Sequence, residues 1–129
     1  MEFRRDSRSG LAPYLQIVEQ VKEASRLGLI TPGDQLPTVR EVVTQLAVNP
    51  NTVLKAYRML EYEGLVEGRP GQGTFVVGTL GGLPPEAFTR IRRKMQPWLR
   101  EAKQAGMDDE SILALVNKTL REQAEARVA

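Results

Sequence analysis

The chain has 129 residues, with no cysteine and no histidine, and only 5% of it is aromatic. The missing cysteine excludes disulfides, iron–sulfur clusters and thiolate chemistry. With histidine missing too, the common zinc sites go, as does every nucleophile activated by an imidazole. A metal would have to be held by carboxylates, and the 16 acidic residues show no calcium-loop spacing. No convergent carboxylate pair stands out, so no active site is expected, and neither a metal nor any other cofactor. No run of ~18 apolar residues exists to span a bilayer. Residues 1–10 lack the apolar stretch of a secretory signal. The expectation is a cytoplasmic protein that is not an enzyme and has no membrane partner.

Surplus charge is scarce as well. Eighteen Lys and Arg against 16 Asp and Glu leave a net charge of +2. Residues 1–78 carry nine side chains of each sign, and residues 79–129 carry nine basic and seven acidic. Attraction to a polyanion depends on where cations sit, not only on their sum. Any nucleic-acid reading must therefore rest on placed groups.

Helical periodicity is abundant. Residues 1–12 are polar and read as a frayed lead-in. Tyr14, Ile17, Val18, Val21 and Ala24 recur at helical spacing, Pro13 suits a first turn and Gly28 a stop, which predicts a helix over 13–27. Residues 30–37 read as a turn, with Pro32-Gly33 fitting type II. Thr38 and Glu41 have the spacing of a capping box, and Val39, Val42, Val43 and Leu46 mark a helix over 39–46. Only two residues later, Asn49 is a good cap and Pro50 a good first helical residue. Val53, Ala56, Tyr57 and Leu60 then carry a helix over 50–63, stopped by Gly64. Its opposite face carries Asn51, Lys55, Arg58 and Tyr62, with Thr52 beside it. The β-prone runs 65–67 and 74–77 flank a glycine-rich tip at 68–73, which predicts a hairpin.

Past a linker at 80–85, Phe88, Ile91, Met95, Trp98, Leu99 and Ala102 form an apolar stripe. It predicts a helix over 85–105, kinked or broken near Pro97. A last helix over 109–126 bears Ile112, Leu113, Val116 and Leu120, with Asp108, Asp109 and Glu110 at its start, where acidic groups suit the macrodipole. Two helices cannot hide both stripes, so Phe88, Ile91, Met95, Trp98, Leu99, Ile112, Leu113, Val116 and Leu120 are assigned to a dimer interface. The expected fold is mainly α (α+β). Residues 1–78 form a winged helix-turn-helix of three helices and a hairpin, and residues 79–129 form a two-helix dimerisation tail. In such a fold the third helix packs through one stripe and turns its polar face to a major groove. There Asn and Thr can hydrogen-bond, and Lys55 and Arg58 can neutralise phosphate.

The residues themselves resemble a known family. The run 33–41 (Gly-Asp-Gln-Leu-Pro-Thr-Val-Arg-Glu), Val48 to Val53, Lys55-Ala56-Tyr57, Leu60-Glu61, Glu63 to Val66 and Gly71 to Val76 are similar to the GntR family of bacterial transcription regulators. The resemblance covers about residues 12–77. The short remainder, with its junction at 101–107, resembles the YtrA-type subfamily. For such regulators the resemblance implies a dimerising tail and a frequent link to ABC transporter operons. It also implies DNA contacts: Arg40 as a base-contacting arginine, Asn49, Asn51 and Thr52 at the recognition-helix N-terminus, and Gly71, Gln72 and Gly73 as a wing tip in the minor groove, flanked by Arg69. Leu54 departs from the polar residue common at its position, and Val43 replaces a common small residue.

The expected function is a homodimeric, sequence-specific regulator, a repressor, that binds double-stranded operator DNA of palindromic form. Its helix over 50–63 lies in the major groove and its wing is at 68–73. No residue set defines a small-molecule effector site. The alternative is a winged-helix interaction module that does not bind DNA. The basic run Arg90, Arg92, Arg93 and Lys94 reads by default as a solvated helix face, with a second contact to the DNA backbone as the alternative.

Overall fold

In the computed structural model, residues 1–128 are described, Val128 by its backbone alone. Helices α1 (Pro13–Arg26), α2 (Val39–Leu46) and α3 (Pro50–Tyr62) precede strands β1 (Val66–Arg69) and β2 (Gly73–Val76). Helices α4 (Pro85–Gln104) and α5 (Asp109–Val128) follow. The chain divides into two compact units, residues 1–88 and residue 89 onward.

In the first unit each helix contributes one stripe to a shared core. Ile17, Val18 and Val21 of α1 meet Val42 and Leu46 of α2 and Val53, Ala56 and Leu60 of α3. The hairpin adds Val66 and Val76. Fully burying such a side chain stabilises the fold by about 1.5–3 kcal/mol. Helix α3 is the hub, packed by α1, α2 and β1. The capping box forms: the Glu41 N–H donates to Thr38 Oγ1 at 3.1 Å and the Thr38 N–H to Glu41 Oε1 at 3.4 Å. Between α2 and α3 the chain reverses at Ala47, which holds the left-handed conformation at φ 52 and donates to the Val43 carbonyl at 2.9 Å. That residue makes the tight turn possible without a glycine.

One local expectation needs correction, and two others gain tertiary contacts. The first residues are not frayed. Phe3 is buried, and its N–H donates to Gln45 Oε1 at 3.1 Å. The Arg4 and Asp6 N–H groups donate to Gln20 and Gln16 of α1 at 3.0 and 2.9 Å. One aromatic plug and three glutamines thus tie down a segment whose composition looks disordered. Second, residues 30–37 hold more than a turn. The Asp34 N–H closes the turn onto the Thr31 carbonyl at 3.0 Å, with Gly33 at φ +102. The chain then runs beside β2: Gln35 bridges Phe75, and the Leu36 N–H reaches the Thr74 carbonyl at 2.8 Å. Third, the linker residues 80–83 lie on the end of α1. The Leu80 N–H donates to the buried Ser25 Oγ at 2.9 Å. A Cβ on Gly28 would run into the Leu83 carbonyl oxygen, so no other residue fits there.

In the second unit α4 is one helix that runs through Pro97, not two. The proline has no N–H to give to the Arg93 carbonyl. At the junction with α5, Lys103 pairs with Asp109 at 2.9 Å. Asp108 accepts the Ser111 N–H at 2.8 Å, and its hydrogen bonds with Ser111 hold its carboxyl below the usual carboxylate range. Ala102 and Ile112 are buried. Ile112, expected at a dimer interface, is thus already covered within the single chain. Ile91, Met95, Leu113, Leu115 and Leu120 are exposed, and Trp98, Leu99 and Val116 are half-buried.

Candidate nucleic-acid interface

Helix α3 presents its two faces as the sequence pattern requires. Val53, Ala56, Tyr57 and Leu60 are buried, while Asn51, Lys55, Arg58 and Tyr62 are exposed. At 3.6 residues per turn these four outward residues fall within roughly 60° of one another. Thr52 and Leu54 flank that face, each half-buried. The Asn49 carboxamide oxygen accepts the Asn51 N–H at 2.8 Å, which fixes the helix start. Its capping oxygen is therefore committed to the helix, and the amide nitrogen remains to donate outward.

Tyr57 anchors α3 to the segment before α2. Its hydroxyl donates to the Pro37 carbonyl at 2.6 Å in a buried setting. Burial, with the nearby Glu41 charge, pushes the phenol well above its ordinary range. This contact places the start of α2 against α3. Arg40, the second residue of α2, is exposed, and its guanidinium has no hydrogen bond or ion pair among the described residues. A cation in a first helical turn opposes the macrodipole, so its placement points to an external anion or acceptor. Arg58 is likewise exposed and unpaired among the described residues.

Two other cations of this unit are held by aromatic faces. Lys55 Nζ lies 3.9 Å from the centroid of the Tyr14 ring, and Arg69 Cζ lies 4.5 Å from that of Phe75. Arg69 also approaches Glu67 at 3.4 Å. Strands β1 and β2 pair Val66 with Val76 through Arg69 with Gly73. Arg69 and Gly73 therefore belong to the strands, and the tip shrinks from 68–73 to Pro70, Gly71 and Gln72. The Gln72 N–H returns to the Arg69 carbonyl at 2.9 Å, and Gly71 at φ +73 supplies the bend. Gln35 Nε2 donates to the Gln72 carbonyl at 3.2 Å and so braces the tip. A groove of ≈ 610 Å³ lies between Thr38, at the start of α2, and the wing from Gly68 to Thr74.

Tyr14, Gln35 and Phe75 position candidate groups, a part that residue order alone does not give them. By pattern Tyr14 and Phe75 are simply apolar residues of a helix and a strand, and Gln35 belongs to a turn. Each acts across a gap of several to many residues, which periodicity does not detect.

A short turn between α2 and α3, an exposed polar face on α3 and a braced β-wing define a winged-helix DNA-binding protein. The pattern of the bacterial regulatory proteins of the gntR family matches residues 13–76. The chain is 39% identical over 108 residues to the HTH-type transcriptional repressor YtrA of Bacillus subtilis (strain 168), covering 83% of each chain. Its structure is similar to YtrA from Sulfolobus acidocaldarius, a GntR-family transcription factor, with a TM-score of 0.53 and 29% identity over 93% of this chain and 97% of that one. It is also similar to the DNA-binding domain of AraR in complex with an operator, with a TM-score of 0.53 and 29% identity over 60% of this chain and 99% of that one. The chain belongs to the GntR family, in its short YtrA-type branch, and is a DNA-binding transcriptional regulator. These relatives are regulators and not enzymes. No helix among the described residues is long and apolar enough to cross a membrane.

Proposed function

We propose that the protein is a cytoplasmic homodimeric repressor that reads a palindromic operator. Residues 1–78 of each subunit form the DNA-binding domain and residues 79–129 the dimerising one. The observation that carries this reading is the exposed polar face of α3 beside the unpaired guanidinium of Arg40. In it, α3 enters a major groove. Asn49, Asn51 and Thr52 approach bases and nearby phosphates, Arg40 takes a bidentate base contact, and Lys55 and Arg58 neutralise the backbone. Arg69, Gly71, Gln72 and Gly73 bring the wing to the adjacent minor groove. The exposed Ile91, Met95, Leu113 and Leu120 support dimerisation, because an apolar surface of this kind is covered best by a second copy. The relative named a repressor in Bacillus subtilis supports the sense of regulation.

Selection of bound duplexes from a random pool tests the whole reading. A two-fold symmetric site with half-sites about 34–36 Å apart is the expected result. Enrichment of a single asymmetric half-site would overturn the dimeric part, and no enrichment would overturn sequence-specific recognition.

A further inference from the structure

The winged-helix residues 1–78 carry nine cations and nine carboxylates, so they supply no net positive field. One of those cations, Lys22, is already paired with Glu63 at 2.9 Å. Phosphate neutralisation by Lys and Arg nevertheless supplies essentially all of non-specific DNA binding. Helix α4 is the most cationic element of the protein. It holds Arg90, Arg92, Arg93, Lys94, Arg100 and Lys103 against Glu86 and Glu101 alone.

These charges are arranged, not scattered. Arg90 and Arg93 are three apart, Arg90 and Lys94 four apart, and Arg93 and Arg100 seven apart, so the four share one helix face. The apolar stripe of Phe88, Ile91, Met95 and Trp98 lies to another side. Arg90, Arg93, Lys94 and Arg100 are all exposed, and none makes an ion pair or hydrogen bond among the described residues. Like charges at these spacings repel along an isolated helix. A face built at that cost and left unpaired is complementary to a line of anions.

We propose that this face of α4, built from Arg90, Arg93, Lys94 and Arg100, is a second contact surface for the phosphate backbone of duplex DNA. It adds sequence-independent affinity to a reading head that has no net charge. The proposal rests on DNA binding by the winged helix, and its test keeps the two apart.

The test uses the full chain and a fluorescently labelled duplex of mixed sequence. Fluorescence anisotropy follows its affinity across a salt series for the wild type, for R90Q/R93Q/K94Q, for R90K/R93K and for K55Q. The slope of log affinity against log salt should fall in magnitude by about 0.9 for each phosphate that is no longer neutralised, so by about 2.7 per subunit in the triple glutamine variant. The lysine variant keeps its charges and should keep its slope. Matching circular dichroism and sedimentation would show that the glutamine variant folds and assembles as the wild type does. A slope equal to that of the wild type would overturn the proposal and leave the face to a partner such as an acidic protein. If the wild type binds no duplex, DNA binding itself fails. If K55Q lowers the slope and the triple glutamine variant does not, the winged-helix reading stands and this one falls.

Discussion

Lys55 of α3 and Tyr14 at the start of α1 form a cation–π pair, with Nζ 3.9 Å from the ring centroid. The pair joins the outward face of α3 to an element that the helix-turn-helix itself does not include. It restricts a flexible ammonium to one position beside Asn51 and Arg58. An exposed pair of this kind contributes about 0.5–1 kcal/mol. A double-mutant cycle with Tyr14→Leu and Lys55→Gln should return a coupling of that size in urea unfolding. In DNA binding, Lys55→Gln should lower the salt slope by about 0.9 per subunit, the amount due to one phosphate. An unchanged slope would assign Lys55 to stability alone.

Arg40→Ala separates binding from folding. The guanidinium is exposed and unpaired among the described residues, so its removal should leave the unfolding midpoint unchanged. On the operator it should cost about 1–3 kcal/mol, the usual worth of a bidentate base contact. Asn49→Ala should behave differently, because its side chain caps α3 at 2.8 Å. There about 1 kcal/mol of stability goes alongside any drop in affinity. Thermal unfolding and anisotropy on the same samples distinguish the two patterns.

The buried Tyr57 sets an alkaline limit on stability. Its phenol titrates higher in the folded chain than its ordinary value of ~10. Stability from the protonated hydroxyl is therefore complete below about pH 10 and declines as the pH rises beyond it. Tyr57→Phe leaves the Pro37 carbonyl buried without its donor, at a cost of about 1–3 kcal/mol at neutral pH. The variant should also lose less stability than the wild type between neutral pH and pH values above ~10. Parallel alkaline titration curves for the two proteins would sink this account.

Ala47 carries strain that a glycine relieves. An L-residue in the left-handed region costs roughly 1–2 kcal/mol, and part of that returns as the greater chain entropy of unfolded glycine. Ala47→Gly should therefore stabilise the protein by about 0.5–1 kcal/mol without changing affinity. Chemical denaturation checks the sign, and a destabilised variant would mean that the methyl group packs usefully.

If the protein dimerises as proposed, Met95→Glu combined with Leu120→Glu should shift sedimentation from dimer to monomer, since both side chains are exposed in the single chain. Ile112→Glu should instead unfold the second unit, because Ile112 is buried there. A double variant that still sediments as a dimer would relocate the interface.

Most of the helical architecture is legible from residue order. Apolar side chains recur every three or four positions in α1 to α5, and Thr38, Asn49 and Pro50 signal helix starts through local hydrogen bonding. These are short-range effects, so a sequence contains them almost completely. The outward face of α3 follows as the complement of its buried stripe. The polar first residues mislead, because docking depends on Phe3 finding a core slot and on glutamines of other elements. The wing is also mis-sized by pattern alone. Gly68, Arg69 and Gly73 have weak strand propensity, and pairing across the ladder overrides it.

The sequence by itself determined which residues of α1, α2 and α3 face inward, where those helices begin and which side chains of α3 face outward. It also determined the near-zero charge of the winged helix. Only the tertiary structure decided which of those side chains are held and by what. It set Lys55 on Tyr14, Arg69 on Phe75, Gln35 under the wing tip and Tyr57 on Pro37. These partners lie from 6 to 41 residues apart in the chain. Periodicity reports the environment of a residue over one or two helical turns. It says nothing of which distant group will meet that residue once the core has closed.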